Sequence, residues 1–565
     1  MRILPNPVLP LLVAVGLMSL VARAADALHV EIDKAIAAGA GGTLSPQAPD
    51  AEFLRRAFLD FTGRIPTSAD ARQFLADKDA GKRAHLIDRL IASQEFPERL
   101  EQAVTVMLLE RRSGGKITDA KWRGWLREQF VANRPWNEIV RDLLAIEGDP
   151  TATPAAKFIL NDEKLEPEKV AHDVARLFLG MNLQCAQCHD HPTVNGFLQA
   201  DYYGIYSYLA QTTMKPDKAT KAVVLSEAPS TPQIEFKSVF KPDKATTAPH
   251  VPGGNEVVIP AFAPGEEYEV KPEKNGSPGV PKFRLRPLLA RDLTSEQNHR
   301  FAQNSVNRFW FLLMGRGLVH PLDMMHKDNP PSHPELFDRL ANEFVAHKFD
   351  VRWLLREIAL SDAYQRTTRA PEGTDLKSVK LESYRMANLK PLAAEQIGIA
   401  SMVATGSWDL LAQAAPAEGE EPADTTATKG KKKKAKNHLD LGAMELPSTR
   451  EDALAVFVRA FSGPVGEPEV EFAPSMSHSL FLMNERMVLG WLKPKENNLI
   501  ARLAKFTAPA EVAEELYLSV LTRQPEKEEV AEVEGFLKKN ESRREGALGE
   551  LAWALLASAE FRLNH

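Results

Sequence analysis

The stretch Glu52-Phe53-Leu54-Arg55-Arg56-Ala57-Phe58-Leu59-Asp60-Phe61-Thr62-Gly63-Arg64-Ile65-Pro66 sets the fold class. Its apolar residues recur at three- and four-residue intervals, which places them on one face of a helix. The following Gly63 and Pro66 supply a stop and a turn. The spacing predicts a helix over 52–61 and a second from Ala69 to Phe74, opened by Thr67 and Asp70 in the form of a capping box. A third helix, Lys82 to Ser93, carries Leu86, Ile87 and Leu90 on one stripe and is expected to end near Phe96-Pro97.

Outward from this unit the same period continues. Helices are expected from Lys121 to Ala132, from Trp136 to Ile146, from about Glu166, and from Ala200 to Gln211. They resume at about Thr294, again after a second apparent capping box formed by Ser332 and Glu335, and from Val351 to Leu360. Between Ala219 and Arg286 the texture changes to Pro, Gly, Lys and short alternating runs. Gln233-Ile234-Glu235-Phe236 and Glu256-Val257-Val258-Ile259 read there as strands. The expected fold class is mainly α, multi-helix domains with a small β/Pro-Gly-rich insert between them.

The chain also resembles itself. Phe58-Leu59-Asp60-Phe61 and Arg64-Ile65-Pro66 match Tyr517-Leu518-Ser519-Val520 and Arg523-Gln524-Pro525, and Leu90-Ile91-Ala92-Ser93-Gln94-Glu95-Phe96 matches Leu555-Leu556-Ala557-Ser558-Ala559-Glu560-Phe561. Duplication explains this, and so does the drift of any amphipathic three-helix unit toward one pattern. Either way the repeat reads as structural.

The start of the chain departs from the rest. Arg2 is followed by an almost wholly apolar run from Val8 to Val21 and then by Ala22-Arg23-Ala24, the small-x-small form of a cleavage site. A signal peptide over 1–24 is expected. A retained anchor is the alternative, but the run falls short of the ~20 residues that span a bilayer. No other segment is apolar enough to cross a membrane. The mature protein is therefore expected outside the cytoplasm, periplasmic or extracellular.

The organisation that follows is 25–218 as an N-terminal helical domain, 219–286 as a strand- and Pro-rich connection, and 287–412 and 438–565 as two parts of a C-terminal helical domain. Between those parts, 413–437 is rich in Ala, Glu, Pro, Thr and Lys and is expected to be a disordered insert. A net charge of -6 spread over both signs gives no nucleic-acid surface. No Gly-x-Ser-x-Gly elbow or phosphate loop supports hydrolase or nucleotide chemistry.

An exported protein that relied on disulfide staples would scatter cysteines through its loops. This one has two cysteines in 565 residues, inside Cys185-Ala186-Gln187-Cys188-His189. Two thiols at this spacing with a histidine directly after the second is what covalent attachment of a c-type haem needs: two thioethers and a proximal imidazole. Val174, Leu177, Phe178 and Met181 before the motif, and Tyr202, Ile205, Tyr206 and Leu209 after it, read either as haem-pocket walls or simply as core. His172, Met181 and Met214 are the candidates for a distal iron ligand. His191 follows too closely to reach the far face of a porphyrin, since two residues span at most ~7 Å. Two rival readings keep the same residues. Cys185 and Cys188 could close a disulfide in a non-redox binding or scaffold protein, for which an exposed aromatic platform would be the mark. Alternatively, His189, Asp190 and His191 could join another histidine around a metal ion.

Taken together, these segments resemble the large exported planctomycete proteins that pair a cytochrome-c-like domain with a C-terminal partner domain, both of unknown function. The first domain is matched by 58–66, by Leu86-Ile87-Asp88-Arg89-Leu90 and by Gln184-Cys185-Ala186-Gln187-Cys188-His189-Asp190-His191-Pro192. The second is matched by Val306-Asn307-Arg308-Phe309-Trp310, Gly315-Arg316-Gly317-Leu318-Val319, Pro331-Ser332-His333-Pro334-Glu335-Leu336 and the closing 557–561. The family's haem is itself inferred from the cysteine motif, so the expectation of one covalent haem c on Cys185, Cys188 and His189 rests on that motif, with electron transfer to a redox partner protein as the leading function. The chain departs from the pattern after Pro192, where Thr193-Val194 replaces an aromatic pair.

Overall fold

The computed structural model describes residues 27–160, 165–216, 223–273, 278–413, 447–468 and 476–565. The expected signal peptide lies outside them. So does the Lys-rich insert apart from Gln413, the last residue of the Ser407–Gln413 helix. The described residues hold 23 α-helices and four two-stranded sheets, so the chain is mainly α.

The opening stretch forms the helix Asp50–Thr62, with Phe53, Leu54, Ala57 and Phe61 fully buried. Gly63 ends it at φ 70°, a left-handed conformation that costs glycine nothing. Ser68–Ala76 follows, capped by Thr67 and Asp70 in reciprocal hydrogen bonds, and then Lys82–Ile91. Three local expectations need correction. Phe96-Pro97 does not end a helix but sits in the first turn of Glu95–Leu109, where the N–H that proline lacks has no helical partner anyway. His333, not Ser332, stands at the N-cap of Pro334–Ala346, because Pro334 takes the first helical position. Glu256–Ile259 forms no strand, and Val258 is 86% exposed there. The run at 233–236 does pair, as Ile234–Lys237 against Lys244–Thr247.

Two apolar cores organise the molecule. The larger draws on residues from Leu28 to Tyr384 together with Leu518. The smaller runs from Leu392 to Phe561 and takes in Leu59 and Ile65 from the first helices. Each core thus contains residues from both ends of the chain.

The internal match is a repeated fold unit. Asp50–Thr62, Ser68–Ala76 and Lys82–Ile91 correspond to Pro509–Leu521, Lys527–Lys539 and Arg544–Leu556. Both first helices end on a left-handed residue, Gly63 and Thr522, and both second helices open with a capping box. Both units carry the same ion pair, Arg64–Glu95 at 3.1 Å and Arg523–Glu560 at 2.7 Å. An amphipathic pattern alone requires none of these features. The units also pack on each other: Ser68 donates to Glu515, Arg72 pairs with Glu514 and Glu515, and Arg55 donates to the carbonyls of Val520 and Phe561.

A buried polar centre lies where the two ends meet. Asp60 accepts from Lys390 Nζ at 2.6 Å, Asn564 Nδ2 at 2.8 Å and the Tyr364 hydroxyl at 2.9 Å. Burial pushes the Lys390 ammonium down and Asp60 opposes it, while burial pushes the Tyr364 phenol up. Removing one partner of such a pair strands the other charge. Asp60→Asn is therefore expected to cost about 3–5 kcal/mol in urea unfolding followed by circular dichroism. A loss below about 1 kcal/mol would show that Lys390 does not depend on this carboxylate.

His565 gives a pH signature. Burial, and then the charge of Arg55, holds its imidazole down at about 4, so the fold favours the neutral ring. The unfolded chain takes up that proton first, at its ordinary value of about 6.5. The contribution of His565 is complete above about pH 6.5 and falls as pH drops toward 4. His565→Gln should remove on the order of 2 kcal/mol of stability change between those pH values, measured as the difference between the two proteins' unfolding curves.

Candidate functional site

The helix Pro167–Leu179 ends at Gly180, whose φ of 67° is left-handed. A Cβ here would lie 2.5 Å from the Met325 sulfur and 2.9 Å from Asn304 Oδ1, so only glycine permits this approach. The chain then runs along a loop of the C-terminal half: Asn182 N–H donates to the Asp323 carbonyl, Met325 N–H to the Gly180 carbonyl, and Met181 bridges Met324. Beneath it lies a charged network. Arg176 reaches Glu110 at 2.5 Å, Asp173 at 2.9 Å and Asp323 at 3.4 Å. Arg308 donates to Asp323 at 2.5 Å and to the Arg176 carbonyl at 2.7 Å. Burial raises the Glu110 carboxyl and lowers the Arg308 guanidinium, whereas the surrounding carboxylates outweigh burial at Arg176 and push it up.

The motif itself is a single 3₁₀ turn, Cys185–Gln187, in which Cys188 N–H donates to the Cys185 carbonyl. Side chains three residues apart eclipse in such a turn. Leu183 and Ala186, 1% and 0% exposed, form the inward pair, and the exposed Cys185 and Cys188 form the outward pair. Both thiols are free.

His189 Nδ1 lies 2.6 Å from the Asp190 carbonyl. A carbonyl only accepts, so Nδ1 carries a proton, and in the neutral ring Nε2 keeps its lone pair, the form in which a histidine ligates metal. His191 is set the other way: its Nδ1 accepts from the N–H groups of Thr193 and Val194, which places the ring proton on Nε2. Burial, then the charges of His326 and His189, keeps His191 below its ordinary value. The Asp190 carboxylate accepts from Gln199 N–H at 2.9 Å and faces Lys241. Among the described residues no three His, Cys, Asp or Glu side chains converge to hold a metal ion.

The inner side of the turn is filled. The Gln187 carbonyl accepts from Tyr203 OH and Gln199 Nε2, both at 3.2 Å, and its side chain meets His172, which stacks on Tyr202 with centroids 4.9 Å apart. Burial lowers the His172 imidazole. Val174, Leu177, Phe178, Met181, Tyr202, Ile205 and Leu209 belong to the main core, all buried to 2% exposure or less. They pack with one another in that core. Tyr206 is half-buried and donates to Glu168. Of the distal candidates, His172 comes against the motif from inside, Met181 is buried in the floor, and Met214 lies opposite Leu225 in the Thr212–Pro216 strand. The donor set, two free exposed thiols and one imidazole whose Nδ1 is bonded to a backbone carbonyl, fits a c-type haem, and among the described residues the inner side of the turn is occupied by packed side chains.

Sequence reading missed the outer neighbours. Val239 N–H donates to the Cys188 carbonyl, Phe240 stands 4.9 Å from the His189 ring, and Phe236 stacks parallel to Tyr203 at 4.7 Å. They lie about fifty residues downstream, and no local pattern links them to the motif.

No curated protein and no solved structure matches the chain. Residues 31–214 match the family model PSCyt2, described as a protein of unknown function (DUF1549), and residues 285–537 match PSD1, described as a protein of unknown function (DUF1553). The chain therefore joins two regions of unknown function, and the Cys185–His189 motif falls within the first.

Proposed function

We propose that the protein is an exported, periplasmic or extracellular carrier of one c-type haem, bound through thioethers to Cys185 and Cys188 with His189 as the proximal iron ligand, and that it exchanges electrons with a partner protein. The observation that carries this reading is the pairing of two free thiols on the outward face of one turn with an imidazole whose Nδ1–H is tied to the Asp190 carbonyl. That bond ties down one ring nitrogen, as a partner on the second ring nitrogen does for metal-bound histidines generally. When bound, the haem supplies one-electron chemistry at its iron. Cys185 and Cys188 hold it, Asp190 orients His189 through its carbonyl, and Gln199 keeps Asp190 in place. A haem on the outer face lies where a docked partner can approach it. The rival metal reading loses support at His191, whose Nδ1 lone pair is occupied by two backbone N–H groups and whose Nε2 carries the proton.

The test is to express the full chain in a host with haem-ligation machinery, denature it and look for pigment on the polypeptide. Wild type should stay coloured and Cys185→Ala with Cys188→Ala colourless. His189→Ala should keep the covalent pigment while its Soret maximum shifts, since the thioethers do not need the imidazole. A colourless wild type whose mass shows the loss of two hydrogens between Cys185 and Cys188 would replace this reading with a disulfide.

A further inference from the structure

Neither family match includes the segment from 215 to 284, and yet this segment supplies the outer side of the motif. The hairpin of Ile234–Lys237 and Lys244–Thr247 is fastened to it at five points. Val239 N–H bonds the Cys188 carbonyl, Gln199 Nε2 bridges the carbonyls of Gln187 and Lys237, Lys241 faces the Asp190 carboxylate at 3.6 Å, Phe236 stacks on Tyr203, and Phe240 lies against the His189 ring. At its turn Val239 and Phe240 are 67% and 77% exposed, although most of the chain's large apolar side chains are buried. Scattered exposed apolar residues need no explanation. These two are adjacent, held against the backbone of Cys188 by the Val239 N–H and against the ring of His189 by Phe240.

The geometry points to the hairpin as the outer wall of the cofactor site: Val239 and Phe240 are the apolar surface that a covalently held tetrapyrrole covers. This rests on the haem reading above. A porphyrin anchored through Cys185 and Cys188 has the filled core behind it and water in front, so apolar cover has to come from an element outside the turn. The hairpin turn is the apolar element fastened there. The wall comes from outside both matched regions, and it sets how much water reaches the cofactor.

The test uses the full chain with and without attached haem, and the variants Phe240→Ser, Val239→Ser and, as an exposed control in the same segment, Val258→Ser. Tryptic cleavage after Lys237, which is exposed and precedes Ser238 in the same hairpin, should be at least fivefold slower in the haem-loaded wild type than in the haem-free chain. Phe240→Ser should lower the midpoint potential and speed bleaching by hydrogen peroxide several-fold, because a wetter cofactor favours the oxidised, more charged state; Val239→Ser should act in the same direction, and Val258→Ser should do neither. Covalent pigment with no protection at Lys237 and no change in Phe240→Ser would overturn the wall while leaving the haem reading intact. A wild type that never acquires pigment would overturn the haem reading, and the wall with it.

Discussion

Arg176 is the group on which the geometry of the motif depends. Its guanidinium lies among Glu110, Asp173 and Asp323, and its carbonyl receives Arg308, so one residue ties the helix leading to the thiols to both halves of the chain. Ion pairs taken out of water contribute little net stability, because desolvation offsets most of the attraction. What they do is forbid alternatives: shifting Pro167–Leu179 along its axis would leave several buried charges unpaired at once. Gly180, closed in by Met325 and Asn304, then lets the chain turn onto the 320s loop. The Cys185–Gln187 turn starts from a platform that cannot slide.

From that platform the direction of the site follows. Leu183 and Ala186 take the inward positions of the turn and Cys185 and Cys188 the outward ones. The long apolar stripes on either side serve the core. The outer side of the turn is left to a separate element, the hairpin carrying Phe240.

Helix periodicity, the turn at Gly63, the capping box at Thr67 and the cysteine motif were all legible in the sequence, because each depends on residues within about four positions of one another. The repeat was visible as letters, but only the shared ion pairs Arg64–Glu95 and Arg523–Glu560 make it a repeated structure. What was not legible is long-range. The Asp60 centre draws Tyr364, Lys390 and Asn564 from across the chain, and Phe240 reaches His189 by way of a hairpin. The tautomers of His189 and His191 follow from which neighbouring backbone group each ring meets, and the order of residues does not specify that.

The mutual packing of the two repeated units gives the polypeptide the form of a clasp. Arg55 and Arg72 on one side grip carbonyls and carboxylates on the other, and each core borrows side chains across the join. A single nick between the two matched regions would therefore leave two fragments still fastened together. Neither half completes its core without side chains from the other.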